Sequence, residues 1–461
     1  MSEMMDLQAA ARATAGRLQG DNLSFTGVST DSRTLNSGEL FVALRGDNFD
    51  GHDYLAAAQA RGAVAAIVAA DAAVASQVGG LPTIEVADTR LSLGALAAEW
   101  RSRFVLPLIA VTGSNGKTTT KEMIASILQA AHPGAVLATR GNYNNDIGLP
   151  LTLLTLNSAH RAAIVEMGMN HPGEIAYLAG IARPTVALIT NAQRAHLAGM
   201  GTLEAIATEK GSIFSGLDEN GIAVFNADDP WADLWRRQSR GLGVLTFGFS
   251  RPADVGGRFR LHGLETRLSV LVPDGSVLEV ELALPGQHNA RNALAAAAAC
   301  LAAGVSAEAV GRGLAAFRGL HGRLQQRPAL HGALLIDDTY NANPDSVRAA
   351  IDVLAATIGR KVLVLGDMGE IGEMSAQFHD EIGGYAKSQG IDRLFALGEA
   401  STLAAHNFGH GGVHFSDVSL LIDALNGELA PGTTVLVKGS RFMRMERVAN
   451  AVSQDDPRGR P

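Results

Sequence analysis

Residues 108–119, with the sequence LIAVTGSNGKTT, hold the pattern that decides the fold of this chain. The apolar run Leu108–Val111 predicts a buried strand, and a helical pattern with one apolar face begins after Gly116. A glycine-rich turn between a strand and a helix lets backbone N–H groups surround an anion, and the positive end of the helix adds to the attraction. The stretch therefore predicts a phosphate-binding loop.

Seven residues of this loop are expected to bind a nucleotide: Gly113, Ser114, Asn115, Gly116, Lys117, Thr118 and Thr119. Lys117 would neutralise the β- and γ-phosphate oxygens, and the Thr118 hydroxyl would bind Mg²⁺. The common form of the loop has a glycine where this chain has Val111, so the loop is a shorter variant. A turn without a ligand is the alternative, which the order of strand, Gly-x-x-Gly-Lys-Thr and helix disfavours. The loop predicts ATP and Mg²⁺ as cofactors.

Composition and charge exclude several classes of protein. The net charge of −8 argues against a nucleic-acid-binding protein that relies on a general basic field. The single cysteine, Cys300, excludes a disulfide within the chain, and the N-terminus has no signal-peptide pattern, so we expect a cytoplasmic protein. The alanine-rich run at residues 290–303 is too short to span a bilayer, and we expect no stable membrane insertion.

Apolar runs that alternate with helical patterns predict an α/β protein of three domains, at residues 1–104, 105–319 and 320–461. The first is a small α/β unit, the second has a parallel sheet and an antiparallel hairpin at Arg258–Leu284, and the third is doubly wound and Rossmann-like. The predicted strands of the last two domains are Leu108–Val111, Ala162–Val165, Val186–Ile189, Ile222–Phe225, Ala333–Ile336, Val362–Leu365, Leu394–Leu397 and Thr434–Val437.

Specific strings along almost the whole chain resemble the Mur ligases of peptidoglycan synthesis. They are TDSRTLNSGELFVALRGDNFDGHDY, TGSNGKTTTKEM, GNYNNDIGLPLTLL, EMGMNHPGEI, NADDP, GQHNARN, HGRLQ, DDTYNANPDS, LGDMGEIGEMS and VKGSRFMRMERV. The resemblance implies a UDP-sugar-binding first domain, an ATP-binding second domain, and a third domain that closes to present an amine. It also implies a monomer that adds D-alanyl-D-alanine to UDP-MurNAc-tripeptide through an acyl phosphate.

The same resemblance implies a catalytic and metal-binding set. Lys117, Glu166, His196 and Lys210 would be catalytic, and Thr118, Glu166, His196 and Lys210 would hold Mg²⁺, with Lys210 converted to a carbamate. The alternatives are a surface glutamate, a structural histidine and a solvated helix lysine.

Further residues are implied around the nucleotide. Asn289 and Asn292 would contact adenine, although Asn289 could instead cap a helix. Arg323 would reach the ATP phosphates or the tripeptide on domain closure, and Asp338 would contact ribose or metal-bound phosphate. Asn343 is as consistent with a turn and helix cap as with a binding residue.

The UDP-sugar would be held by residues of the first domain and of the loop after residue 140. They are Ser29, Thr30, Asp31, Ser32, Arg33, Arg45, Asp50, His52, Asn144 and Asn145. Arginine suits a diphosphate because its guanidinium offers paired donors, and a capped turn is the alternative for each residue.

Two other functions are compatible with part of the pattern. One is another amide ligase of the superfamily, similar to folylpolyglutamate synthase, which the first-domain strings disfavour. The other is a phosphate-loop ATPase, which would not need two further α/β regions.

The resemblance also leaves details of the substrates open. Four residues of the third domain could surround the dipeptide: Asp367, Glu370, Lys438 and Arg441. The third residue of the tripeptide, diaminopimelate or lysine, stays open.

Overall fold

The computed structural model describes residues 3–46, 48–71 and 79–454 of the chain. Three α/β units follow one another, and each is built on its own principal sheet. The three-domain α/β fold predicted from the sequence is confirmed. Within the described ranges, no helix has both the length and the apolar character needed to cross a membrane.

The N-terminal unit has a five-stranded sheet that is parallel except at one edge. Its strands lie in the order Arg17–Gln19, Thr83–Val86, Ala65–Ala69, Leu40–Val42 and Val28–Ser29, and the first of them is antiparallel to its neighbour. Two short antiparallel pairs accompany it, Met5–Asp6 with Ser24–Phe25 and Arg45–Gly46 with Phe49–Asp50. The helices are Leu7–Ala13, the 3₁₀ turn Gly51–Tyr54, Leu55–Ala60 and Thr89–Ser102.

The central unit contains the phosphate loop. Its six parallel strands lie in the order Val136–Ala138, Ala162–Glu166, Leu108–Thr112, Val186–Ile189, Ile222–Asn226 and Gly243–Phe247. A separate antiparallel sheet is formed by Gly256–His262, Glu265–Leu271 and Val277–Leu282. The helices are Lys117–Ala131, Gly148–Leu153, Glu174–Ala182, Leu197–Met200, Leu203–Gly211, the 3₁₀ turn Ser212–Gly216, Ala232–Gln238, Gln287–Ala302 and Ala307–Ala316.

The predicted hairpin at Arg258–Leu284 is a three-stranded meander. Its first turn is the two-residue connection at Gly263, which has φ +62°, a conformation that glycine adopts without strain. The predicted strands of the central sheet lie within one residue of the observed bounds. They are continuous apolar runs because both faces of a parallel sheet are covered.

The C-terminal unit is a doubly wound sheet with one antiparallel edge strand. The order is Gln325–Pro328, Leu334–Asp338, Thr433–Lys438, Arg360–Gly366, Arg393–Leu397 and Gly412–Phe415. The helices are Pro344–Ala355, Ser375–Ser388, Thr402–Phe408, Val418–Asn426 and Glu446–Val452, with 3₁₀ turns at Leu330–Gly332, Gly372–Met374 and Arg441–Met443.

The two junctions between units differ in character. One apolar core is continuous from Met4 in the N-terminal unit to Trp235 in the central unit, with helix Thr89–Ser102 between them. The C-terminal unit has its own two cores, and Leu197 and Leu264 are the described central residues that pack against them. The junction between the central and C-terminal units is therefore largely polar.

Candidate active site at the phosphate loop

A cavity of about 930 Å³ lies at the carboxyl ends of the central strands. Its wall includes the phosphate loop, residues of the C-terminal unit such as Arg323 and Asp338, and Arg90 from the N-terminal unit. Ligands of open α/β sheets bind at this edge, where loops and helix N-termini converge. All three units therefore contribute to one candidate site.

Two glycines of the phosphate loop have positive φ and no room for a side chain. Gly113 has φ +152°, and a Cβ atom there would lie 1.8 Å from Thr190 Oγ1. Gly116 has φ +79°, and a Cβ atom there would lie 2.3 Å from Asn292 Oδ1. Only glycine fits both the backbone angle and the packing, which brings Asn292 directly against the loop.

The Lys117 ammonium group lies inside the loop and has carbonyl partners only. Its Nζ donates to the Gly113 carbonyl at 2.6 Å and to the Ser114 carbonyl at 3.3 Å, and it pairs with no carboxylate of the described residues. Burial lowers the pKa of Lys117, and nearby Glu166 opposes that shift only in part. A buried cation without a counter-ion attracts an anion such as a phosphate.

Glu166 ends its strand and is almost completely buried, with 2% of its surface exposed. Oε1 accepts a hydrogen bond of 2.8 Å from Asn144 Nδ2, while Oε2 has no partner among the described residues. A buried carboxylate oxygen without a donor is costly unless a cation or a ligand satisfies it. The glutamate is therefore not on the surface, and its free oxygen fits Mg²⁺.

His196 follows the neighbouring strand and has φ +59°. Its Nδ1 lies 3.0 Å from a carboxylate oxygen of Glu370 but makes no hydrogen bond with the described residues. Burial is the main cause that lowers the pKa of His196; the Glu370 carboxylate opposes this shift, and the charges of Lys117 and Lys210 add to it. The ring is thus held neutral, which is the form that binds a metal.

Lys210 is buried in helix Leu203–Gly211, with 1% of its surface exposed. No described residue forms a hydrogen bond or ion pair with its ammonium group, and its neighbour Glu209 accepts instead from the Gly173 and Ile175 N–H groups. Burial, aided by Lys117, holds the pKa of Lys210 far below its ordinary value. The alternative of a solvated helix lysine is therefore wrong. Lys210 lies behind the wall of the cavity rather than in it.

Arg323 of the C-terminal unit already contacts the phosphate loop. Its Nη2 donates to Thr118 Oγ1 at 3.0 Å, and its guanidinium lies 4.1 Å from the centre of the Tyr340 ring. Asp338 accepts from Lys438 Nζ at 2.5 Å and from the Leu324 N–H at 3.1 Å, while burial raises the pKa of its carboxyl group.

Asn289 and Asn292 are buried one helical turn apart at the cavity wall. The helix begins at Gln287 with Gly286 at the cap position, so the alternative in which Asn289 caps it is wrong. Asn289 Nδ2 instead donates to the Pro285 carbonyl at 2.8 Å. Its Oδ1 accepts from Asn292 Nδ2 at 3.3 Å, so both polar atoms of the amide are held in one orientation.

The residues predicted for the UDP-sugar fall into two groups. Asn144 and Asn145 line the cavity, and Asn145 also accepts from the Gly148 N–H at 2.8 Å, which is the capped turn considered as the alternative. The first-domain group lies at the carboxyl ends of the N-terminal strands, outside the described cavity wall; it comprises Ser29, Thr30, Asp31, Ser32, Arg33, Arg45, Asp50 and His52. Arg90 pairs with Asp146 at 2.7 Å and links helix Thr89–Ser102 to the cavity loop.

The first-domain group is internally paired. Arg33 binds Asp31 at 2.8 Å, and Arg45 binds Asp50 and Asp71, each at 3.0 Å. His52 is buried and accepts from the Ala69 N–H at 2.9 Å, while its Nδ1 contacts the Asp50 carboxylate. Both ring nitrogens of His52 are thus engaged in supporting the loop, which leaves the two arginines as the groups able to reach a ligand.

Sequence reasoning missed the loop that follows strand Val186–Ile189, apart from His196. Asn191 Oδ1 accepts from the Asn115 N–H at 2.9 Å, and Gln193 Oε1 accepts from Asn115 Nδ2 at 2.7 Å. Asn343 caps helix Pro344–Ala355 as expected, and its Nδ2 also donates to Asn115 Oδ1 at 2.7 Å. The position of the loop at a strand's carboxyl end was the available signal.

No three His, Cys, Asp or Glu side chains in the described part of the chain are grouped so that they could hold a metal ion. Mg²⁺ usually keeps several waters and is bound by one or two protein groups together with substrate phosphates. The unpartnered oxygen of Glu166, the Thr118 hydroxyl and the neutral His196 ring match that pattern better than a preformed metal cage.

Three family models match the chain in succession. They are "Mur ligase family, catalytic domain" at residues 24–101, "Mur ligase middle domain" at residues 111–300, and "Mur ligase, glutamate ligase domain" at residues 322–441. Together they match more than half of its length.

Relatives named UDP-N-acetylmuramoyl-tripeptide--D-alanyl-D-alanine ligase are similar over nearly the whole chain. The Escherichia coli K12 protein is 42% identical over 95% of this chain and 96% of its own length. The Haemophilus influenzae protein is 38% identical over 97% and 98%.

Solved structures agree with these relatives. MurF from Acinetobacter baumannii superposes with a TM-score of 0.89 at 36% identity, covering 97% of this chain and 99% of that one. MurF ligase from Thermotoga maritima in complex with ADP gives a TM-score of 0.81 at 30% identity, covering 92% and 96%.

Proposed function

Because this chain belongs to the Mur ligase family, we propose that it is the ATP-dependent ligase that joins D-alanyl-D-alanine to UDP-MurNAc-tripeptide. The observation that carries the proposal is the similarity, over nearly the full length of the chain, to ligases of that name. The product is the UDP-MurNAc-pentapeptide precursor of peptidoglycan.

The first step transfers the γ-phosphoryl group of ATP to the free carboxylate of the tripeptide. A carboxylate oxygen bonds to phosphorus, the bond to the β-phosphate oxygen breaks, and ADP leaves an acyl phosphate behind. Lys117 and the loop N–H groups stabilise the charge on the phosphates, and Arg323 adds a second cation from the C-terminal unit. Such catalysis depends on positioned charge more than on covalent chemistry.

The second step forms the amide. The amine of D-alanyl-D-alanine attacks the acyl carbon. The carbon–oxygen bond to the phosphate breaks, phosphate leaves, and the amine loses a proton. The C-terminal unit presents this amine, and Lys438, held between Asp338 and the Asn341 carbonyl, lines the cavity on that side. The N-terminal unit holds the UDP group through Arg33 and Arg45.

Mg²⁺ would be held by Thr118, Glu166 and His196, and it would supply Lewis-acid stabilisation of the phosphate charge when bound. Lys210 is proposed to act as a carbamate. Its neutral amine can add to CO₂ and release one proton, which turns an unfavourable buried cation into an anion near His196.

Several further features are part of the same proposal. The domain limits are residues 1–104, 105–319 and 320–461. Asn289 and Asn292 contact adenine, and Asn144 and Asn145 contact the muramoyl or diphosphate portion. The protein acts as a monomer, since residues from all three units of one chain line the cavity. The enzyme acts in the cytoplasm, where ATP is available.

The test is a phosphate-release assay with purified protein, ATP and Mg²⁺. We expect release only when both UDP-MurNAc-tripeptide and D-alanyl-D-alanine are present, with one amide bond formed per phosphate. Lys117→Met serves as the control for contaminating ATPase. Release without either substrate would support a simple ATPase, and release with a folate and glutamate would support the other superfamily activity.

A further inference from the structure

Arg194 joins the central unit to the C-terminal unit through two carboxylates. It lies in the loop after strand Val186–Ile189, and its side chain is 21% exposed. Nη2 and Nε donate to Asp345 Oδ1 at 2.7 and 3.1 Å, and Nη1 donates to Glu381 Oε2 at 3.0 Å. The ring of Phe378 lies 5.1 Å from the guanidinium carbon. Arg194, Asp345 and Glu381 are called the latch below.

The latch also fixes the backbone on both sides of the junction. The Arg194 N–H donates to Asp345 Oδ2 at 2.9 Å, so one carboxylate binds both the main chain and the side chain of the same residue. Asp345 lies in the first turn of helix Pro344–Ala355, whose cap Asn343 contacts Asn115 of the phosphate loop. Closing the latch therefore brings the start of that helix onto the loop.

The latch pairs one arginine of the central unit with two carboxylates of the C-terminal unit across a largely polar junction. The C-terminal unit has its own cores, and Leu197 and Leu264 are the apolar side chains of the described central residues that pack against them. A polar junction of this kind allows the units to separate, because little apolar surface has to be exposed. An arginine that pairs with two carboxylates and is partly shielded from water forms a stronger contact than an exposed ion pair.

We propose that Arg194 is a positioning residue that sets the fraction of molecules in which the C-terminal unit lies closed over the phosphate loop. It acts through Asp345 and Glu381 and touches no reacting atom. Substrates that bind between the two units bind the closed form, so their apparent affinity scales with the closed fraction. The kinetic part of this inference rests on the proposed ligase function, while the conformational part does not.

Distance measurement tests the conformational part directly. Val105 and Ile358 are fully exposed, and Cys300 is buried, so fluorophores attached at Val105→Cys and Ile358→Cys report the separation of the units without labelling Cys300. We expect Arg194→Ala to broaden the distance distribution of the free protein and to shift it. Addition of a non-hydrolysable ATP analogue with Mg²⁺ should restore the parent distance.

Steady-state kinetics test the functional part. Arg194→Ala should raise the KM for ATP about tenfold and leave kcat within about twofold, because saturating substrate closes the units without the latch. Arg194→Lys keeps the charge but loses the paired donors, and we expect an intermediate KM. Asp345→Asn should raise KM similarly, and Arg194→Ala combined with Asp345→Asn should be no worse than either alone.

Arg348→Ala is the matched control. Arg348 also binds Glu381, at 2.7 Å, but within the C-terminal unit. We expect this variant to keep the parent distance and KM. Unchanged distances and KM in Arg194→Ala would overturn the inference, and so would a fall in kcat with unchanged distances, which would indicate local damage near His196. If the protein showed no ligase activity, the distance measurement would still decide the conformational part.

Discussion

The carboxyl edge of the central sheet and the carboxyl edge of the N-terminal sheet both present basic side chains, but the charges are balanced differently. At the N-terminal edge, Arg33 and Arg45 are exposed and already paired with Asp31, Asp50 and Asp71. At the central edge, the Lys210 amino group is buried and the Lys117 ammonium group is partly buried inside the loop, and neither has a carboxylate partner among the described residues.

This difference indicates how each edge treats an anion. When a diphosphate binds at the N-terminal edge, the arginines exchange solvent-exposed carboxylates for phosphate oxygens. The contacts of this edge therefore contribute little to the free energy of unfolding. The central edge carries positive charge that folding has desolvated, and only a phosphate, a carbamate or a loss of protons relieves it. Catalytic sites commonly carry this kind of stored electrostatic cost.

The largest effect is expected for Lys117→Met, which removes the buried cation while keeping the length of the side chain. We expect kcat/KM to fall on the order of a thousandfold, because charge stabilisation at the transferring phosphoryl group is lost. The thermal midpoint should stay the same or rise, because an unpaired buried charge is removed. A strongly lowered midpoint would show that Lys117 stabilises the fold and would contradict the comparison.

The next effect concerns Lys210. Lys210→Ala should lower kcat on the order of a hundredfold, and acetate or formate should restore part of it by supplying the missing carboxylate. Protein equilibrated with ¹³C-labelled CO₂ should show one carbamate signal, which the variant lacks. The matched control is Lys121→Met, since Lys121 is equally buried but already paired with Glu122 and the Thr139 carbonyl. If Lys121→Met lost the signal and Lys210→Ala kept it, the carbamate would be on Lys121, and the prediction would be wrong.

A third prediction uses His288, another base near the central edge. Burial, with Lys438 and Arg291 nearby, lowers the pKa of His288 from 6.5 to about 4 in the folded protein. The unfolded chain therefore binds the proton first as pH falls, so stability is full above pH 6.5 and declines toward pH 4. His288→Gln should remove up to about 3 kcal/mol of that decline in the free energy of unfolding. If the free energy of unfolding fell equally with pH in the parent and in His288→Gln, the lowered pKa of His288 would be contradicted.

The smallest effect on the protein itself is expected for Arg45→Ala. The KM for the UDP substrate should rise about tenfold with kcat unchanged, because a paired donor for the diphosphate is lost. Chemical or thermal unfolding should not change, because the ion pairs of Arg45 are exposed. Arg17→Ala breaks another exposed arginine pair of the same unit and should leave KM unchanged.

Continuous apolar runs made most of the fold predictable. Val186–Ile189 has the predicted bounds, and Ala162–Glu166 differs from them by one residue, because every residue of these strands is buried. Strand Gly243–Phe247 lies at the sheet edge with its first two residues exposed, so its sequence carries no such run. The first strand of the meander, Gly256–His262, was not predicted for the same reason, because most of its residues are exposed or partly exposed to water.

The site was predictable as a set of residues and not as a set of contacts. The family strings contain Lys117 and Glu166, but they do not state that Lys210 is fully buried. One string includes Asp345, but no string indicates its contact with Arg194, which lies 151 residues away and meets it only across the junction of two units. Long-range polar pairs have no periodicity to reveal them.

The contact between Arg323 and Thr118 has a consequence for the timing of ligand arrival. The hydroxyl proposed to serve the metal is occupied by an arginine that also rests on Tyr340. A nucleotide that reaches this oxygen must therefore exchange with a side chain, and the arrival has a step that does not depend on nucleotide concentration. The observed rate of ATP binding should level off at high ATP, and Tyr340→Ala should raise that plateau by freeing the arginine sooner.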